Sequence, residues 1–178
     1  MNEHPHQRIA YREAGHAIMY CMIVKNSIYG YDVDLNEPEA IKFVTIMPPL
    51  QDWDKIKNAG LAYMGIVADI LIAGNESEKI HFDSPKGSSD EEILNLETEL
   101  LKVAYAEIKS SVHEFAHESE TVEEMNARSK VIFRRSVYSV RRQIKSVWSV
   151  VDKVVYLLYA FEIIPLSKVY ELLEDAKS

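Results

Sequence analysis

Between Gln7 and Val24, the residues Ile9, Ala10, Ala14, Ala17, Ile18, Cys21 and Met22 recur at the three- and four-residue spacing of a helix, and Pro5 stands ahead of them as a start signal. Arg12, Glu13 and His16 fall inside the same run. A helix this apolar must be buried, and the charged groups carried in with it need partners, because an isolated charge out of water is strongly unfavourable. Gly15 and Ala17 leave room for a neighbouring element to approach closely around that polar pair. The first helix therefore calls for a packed helical core with a polar site inside it.

The rest of the chain supplies the neighbours. After a polar stretch with Gly30 and Asp34 to Glu39, the β-branched segment Ile41 to Met47 reads as a strand that stops at Pro48-Pro49. Asp52 or Asp54 offers an N-cap for a second, apparently central helix running through Ile70-Leu71-Ile72-Ala73, and Gly74 supplies a residue able to end it. Asn75 to Gly87, with Pro85, then reads as a loop, and Ser88 with Glu91, or Ser89 with Glu92, forms a capping box. A third helix is predicted on Ile93, Leu96, Leu100, Val103, Ala104 and Ile108; it loses its apolar stripe from His113, and Thr121 with Glu124 opens the next. The last helices run through Val131, Ile132, Val140, Ile144, Val147, Val151, Val154, Leu157 and Leu158, with a short one after Pro165 on Val169, Leu172 and Leu173. The expected fold is one α+β, mainly α domain over residues 1–178, with a small sheet near residues 28 to 50 after the first helix.

Charge and cysteine content narrow the function. The chain of 178 residues carries 20 Lys and Arg against 28 Asp and Glu, a formal charge of −8, which argues against binding to a phosphate backbone. With 47% hydrophobic residues it is a folded chain and not a disordered one. Cys21 stands alone, so neither an intrachain disulfide nor a thiolate-rich zinc site can form, and a reducing, cytoplasmic setting is expected. The apolar stretches Ala14 to Val24, Gly60 to Gly74 and Val154 to Phe161 fall short of the roughly 20 residues a membrane span requires, and the first six residues lack the features of a secretory signal.

Two segments could carry chemistry. His113-Glu114-Phe115-Ala116-His117 is a literal H-E-x-x-H, a spacing that puts two imidazoles on one helical face for zinc with a carboxylate to take a proton from bound water. Glu118 and Ser119 follow it where a zinc helix would continue buried and apolar, so it reads as a solvated helix end. The second segment, Ile9-Ala10-Tyr11-Arg12-Glu13-Ala14-Gly15-His16-Ala17, has the Glu and the second His of the motif, with Arg12 at the first position. It resembles the zinc helix of the FtsH family of ATP-dependent metalloproteases, whose pattern is I-A-x-H-E-A-G-H-A. Lys42-Phe43-Val44-Thr45-Ile46-Met47-Pro48 is similar to that family's K-V-T-I-I-P strand. Ile66 to Glu78 resembles its G-G-x-x-A-E helix end, with Glu78 at the acidic position, and Gly87-Ser88-Ser89-Asp90 resembles its G-A-x-N-D turn. Val154 to Glu171 looks like its closing helices.

The resemblance implies an FtsH-peptidase-like helical domain, with residues 1–113 holding the zinc helix, strand and third-ligand helix, and 114–178 the C-terminal helices. It implies Glu13 as general base and His16 and Asp90 as zinc ligands, with Arg12 in place of the first ligand. A catalytic zinc takes three protein ligands and an open position, and a guanidinium cannot deprotonate to become one. Arg12 is expected instead to pair with Asp90 or Glu13, and to stand in for the lost zinc by neutralising Asp90. His4, His6 and His81 read as solvated histidines. No G-x-x-x-x-G-K-[ST] sequence occurs, so no nucleotide is expected. Two functions follow: a pseudo-peptidase that serves as an interaction or regulatory subunit, associating with itself or with related protease subunits, or an active zinc endopeptidase acting on protein or peptide.

Other features carry less. Arg134-Arg135 and Arg141-Arg142-Lys145 make a basic strip, read as a solvated face that could touch an acidic partner. Trp148, Tyr156, Tyr159 and Phe161 read as core or interface aromatics, and Cys21 as packing.

Overall fold

The computed structural model describes residues 5–23, 32–34, 61–88, 90, 91, 93, 94 and 122–177. In chain order the elements are α1 (Pro5–Ile23), β1 (Asp32–Asp34), α2 (Leu61–His81), α3 (Val122–Ser146), α4 (Trp148–Phe161), β2 (Ile163–Pro165) and α5 (Leu166–Asp175). The described residues are mainly helical. The strand expected at Ile41 to Met47, the caps Asp52 and Asp54, the motif His113 to His117 and the 113/114 division all lie outside the described residues.

The first helix falls where the apolar spacing put it. From Ala10 to Cys21 every residue except Arg12 is buried, so α1 is enclosed on all sides and not merely amphipathic. It touches α2, α3, α4, α5 and β1, which makes α1, and not the second helix, the hub of the fold. Ile18, Met19, Ile70, Ile72, Ile144, Leu158 and Leu166 are the large, fully buried side chains, and they join α1, α2, α3, α4 and α5 in one core.

Gly74 does not end the second helix. α2 continues through Asn75-Glu76-Ser77-Glu78 to His81, and the four polar residues are all buried. They stay helical because Asn75, Glu76 and Glu78 find partners on neighbouring elements and the Ser77 hydroxyl donates to Ala73 O of its own helix, an arrangement that hydropathy along α2 cannot reveal. The loop is confined to Phe82–Ser88, entered through Asp83 at φ 46°. Asp90, Glu91, Ile93 and Leu94 are helical, as the capping box requires, although the Ser88 hydroxyl donates to Glu78.

α3 begins directly after Thr121, and α3 and α4 are divided at Val147, whose N–H reaches Ile144 O at 3.2 Å. α4 ends at Glu162, a non-glycine residue at φ 59° whose N–H closes on Leu158 O at 2.8 Å. Pro165 precedes α5 as expected, with extended φ and ψ. β1 falls within the span of 28 to 50 expected for a small sheet, most of which lies outside the described residues. Asp32–Asp34 pairs antiparallel with Ile163–Pro165, in the register Val33 opposite Ile164, so the partner comes from the C-terminal end of the chain. Buried Ile164 anchors that pairing on the core. Tyr156, Tyr159 and Phe161 are exposed, so of the four late aromatics only Trp148 packs inward. No helix among the described residues is long and apolar enough to cross a membrane.

Candidate functional site

The site grows out of the crossing of α1 on α2. Glycines at that crossing let the two backbones meet: a Cβ at Gly15 would lie 2.5 Å from Ala73 O, and one at Gly74 would lie 2.8 Å from Arg12 O and overlap the His16 ring. His16 is thus seated in the notch left by Gly74. Its Nδ1 is 3.3 Å from Glu13 Oε2, one helical turn back, while Nε2 is buried with no hydrogen-bond partner among the described residues. Arg12 Nε donates to the other oxygen of Glu13 at 3.2 Å. Both carboxylate oxygens of Glu13 are therefore engaged by its own helix.

Burial alone would push the Glu13 carboxyl up, but the charge and hydrogen bond of His16, followed by those of Arg12, outweigh it and hold the group below the usual carboxylate value. Glu13 is in consequence an ionised carboxylate at neutral pH, with one partner on each oxygen.

Asp90 belongs to a second cluster. Lys79 forms an ion pair with its Oδ1, Asn75 Nδ2 donates to the same oxygen at 2.8 Å, and the Gly87 N–H reaches Oδ2 at 3.2 Å. Burial raises this carboxyl, and the bonds from Lys79 and Asn75 overcome it, with a net lowering. The neutralisation expected of Arg12 is thus performed by Lys79. Arg12 Nε is bonded to Glu13, and its Nη1 lies 3.4 Å from the Ser88 hydroxyl.

Glu78 links the two helices to the loop. It is fully buried and accepts from the Arg8 guanidinium, from the Ser88 hydroxyl and from the Ser88 N–H at 3.0 and 3.1 Å. The sequence resemblance marked Glu78 as acidic, but the parts played by Arg8, Asn75, Lys79 and Ser88 were not anticipated. The usable signal was Asn-Glu-Ser-Glu following directly on an apolar helix, a polar run that only buried partners can hold there.

His81 is not a solvated histidine. It stacks on Tyr11 with ring centroids 3.6 Å apart, meets Phe82 edge-on and accepts from the Gln7 amide at 3.2 Å, while Tyr11 also stacks on Trp148. The Tyr11 hydroxyl donates to Asp152 at 3.2 Å, and burial together with that carboxylate pushes it up to about 12. Burial depresses His81, an effect only partly opposed by Asp152.

No family model matches this chain, and no curated protein matches it either. The donor chemistry can still be set against what zinc requires. His16 Nε2 is a buried nitrogen with no hydrogen-bond partner among the described residues, the kind of atom an ion would use, but it faces the Gly74 backbone. The neighbouring position is a guanidinium, and Asp90 is held by Lys79. Among the described residues no three His, Cys, Asp or Glu side chains gather as a metal would need, so the residues present do not fit a catalytic zinc.

These shifts have a calculable pH signature. A depressed His81 contributes stability that is complete above the ordinary 6.5 and is lost as pH falls toward its folded value. Depressed Glu13 and Asp90 contribute stability that is complete above ordinary carboxylate values and is lost at still lower pH, as each is protonated. Thermal melts between about pH 7.5 and about pH 3.5 should therefore show Tm falling in two stages on acidification. His81→Gln should flatten the first stage and leave the second. A profile for that variant parallel to wild type throughout would remove His81 as the cause.

Proposed function

We propose that this chain is an FtsH-peptidase-like domain that has given up hydrolysis and acts by binding, as an interaction or regulatory subunit. One observation supports this above the others: Glu13, the residue matching the general base, has Oε1 on Arg12 and Oε2 on His16. A general base needs a free lone pair directed at the water it activates, and its ideal proton affinity lies near the working pH. Each Glu13 oxygen already accepts one bond, from Arg12 or from His16, and the proton affinity of the group is lowered. A permanent cation at the position matching the first ligand also repels a dication. The polar cluster then serves architecture, tying α1 to α2 and the Phe82–Ser88 loop, and leaves the surface of a peptidase-like domain for association with copies of itself or with related protease subunits.

The test is metal content and cleavage in one preparation. Protein equilibrated with zinc and desalted should carry far less than one equivalent by elemental mass spectrometry. Casein should remain intact with or without chelator, and Glu13→Gln should behave as wild type. One tightly held equivalent that disappears in His16→Ala, together with casein cleavage abolished by Glu13→Gln, would establish the zinc endopeptidase instead.

A further inference from the structure

On the opposite side of α2 from the Gly74 notch, a cleft of about 580 Å³ opens between α2, the Phe82–Ser88 loop and α3. The helical repeat of α2 turns Gly74, Ser77 and Glu78 toward α1 and the loop. It turns Asp69 and Glu76 toward α3, where they accept from Ser136 at 2.7 Å and from Arg141 at 2.6 Å. Glu76 is buried at the base of the cleft and fixes Arg141 through one nitrogen, which leaves the remaining N–H groups of that guanidinium for another acceptor. Lys79, also on the wall, is committed to Asp90 and Glu76.

Arg134 differs from both. It lines the cleft, is exposed and has no partner among the described residues. Between Arg134 and Arg141 on the same helical face stands Tyr138, 71% exposed, and one further turn on comes Lys145. The whole segment Arg134 to Ser146 holds five cations and no acid, in a chain whose net charge is −8. Three cations (Lys79, Arg134 and Arg141) line the cleft against two carboxylates, Glu76 and Asp83. Glu76 is already ion-paired to Arg141.

We infer that this cleft docks an acidic peptide segment of a partner protein. A carboxylate seats on Arg134, an apolar residue lies on the Tyr138 ring, and a second carboxylate takes the open side of Arg141. Spacing sets the register. Arg134 and Arg141 are seven residues apart, roughly 10 Å along the helix at a rise of about 1.5 Å per residue. A polyproline-type segment repeats on one side every three residues, about 9 Å, so the matching peptide carries Glu at positions i and i+3 with an apolar residue between. Nucleic acid fits less well, since its continuous row of phosphates would run past the cleft over a chain whose net charge is −8. A flat anionic membrane would not enter the cleft at all. The cleft is separate from the Glu13–His16 pair, so the inference holds whether or not the chain cleaves peptide bonds.

The probe is a fluorescein-labelled peptide built on Glu-Leu-Pro-Glu, read by fluorescence anisotropy against the whole chain, with Gln-Leu-Pro-Gln as its neutral counterpart. Saturable binding of the acidic peptide is expected, weakening as salt rises. Arg134→Ser should weaken it about fivefold, the worth of about 1 kcal/mol, and Arg134→Lys should fall between. Both variants should keep the wild-type circular dichroism, because the exposed Arg134 side chain has no partner among the described residues. Failure of the acidic peptide to saturate, equal binding of the neutral peptide, or an unchanged Kd for Arg134→Ser would overturn the inference. Tighter binding of a single-stranded oligonucleotide or of phosphatidylserine vesicles would overturn it as well.

Discussion

Gly15→Ala should lower the folding stability by about 2 kcal/mol, although the same change in the middle of an ordinary helix raises it by about 1 kcal/mol. The helical gain comes from restricting the unfolded chain and applies wherever a methyl group has room. At Gly15 it has none: the new Cβ would lie 2.5 Å from Ala73 O and 2.9 Å from Ala73 C, both backbone atoms of α2. A side chain could rotate aside, whereas a helix backbone can only retreat, and retreat here pulls α2 off the central helix of the core. The overlap therefore wins over the propensity. In urea the midpoint should fall at constant slope, and Tm should drop by about 5 °C. Ser77→Ala in the same background should recover only part of the loss, because it removes the Ser77 hydroxyl from the contact and leaves the Ala73 carbonyl. A midpoint at or above wild type for Gly15→Ala would mean that α1 and α2 do not cross this closely.

The two glycines of this crossing show what a single sequence can and cannot reveal. Gly15 was legible, since a small residue between Glu13 and His16 in an apolar helix has few uses other than close approach. Gly74 was not. A glycine after Ile-Leu-Ile-Ala and before Asn-Glu-Ser-Glu has the local signature of a helix end, and only the His16 ring, far away in sequence, makes it an interior residue. The same division runs through the rest of the molecule. α1 and the start of α5 were readable from periodicity and Pro165, because those signals are local. The pairing of Val33 with Ile164 was not readable, as both strands are three residues long and meet only through the tertiary fold. At the candidate site, residue types announced that Arg12, Glu13, His16, Glu78 and Asp90 needed partners. Which partner each took was decided by which neighbour the packing brought nearest, and Lys79 reached Asp90 where Arg12 had been expected.

Glu78 offers the second large effect, and it tests whether this polar cluster is an architectural device or the remnant of one. If the carboxylate merely fills space, Glu78→Gln, which keeps its size, should be nearly neutral. The contacts say otherwise. Every partner of Glu78 is a donor: the Arg8 guanidinium, the Ser88 hydroxyl and the Ser88 N–H. An amide would turn a second set of donors against them, and its one oxygen cannot serve all three, so Glu78→Gln should destabilise by about 2 kcal/mol. Glu78→Ala should cost about 3 kcal/mol, near the low end for removing one member of a buried pair, because Arg8 is part-exposed and can recover some hydration. Hydrogen exchange separates this from a uniform loss of stability. Ser88 N–H should exchange faster in both variants by more than the global change explains, as Glu78 is what pins the loop leading to Asp90. Added zinc should restore neither variant, since the charge being balanced is that of Arg8 and not of an ion. Glu78→Gln within about 0.5 kcal/mol of wild type, or rescue of either variant by zinc, would show that a different species balances the carboxylate.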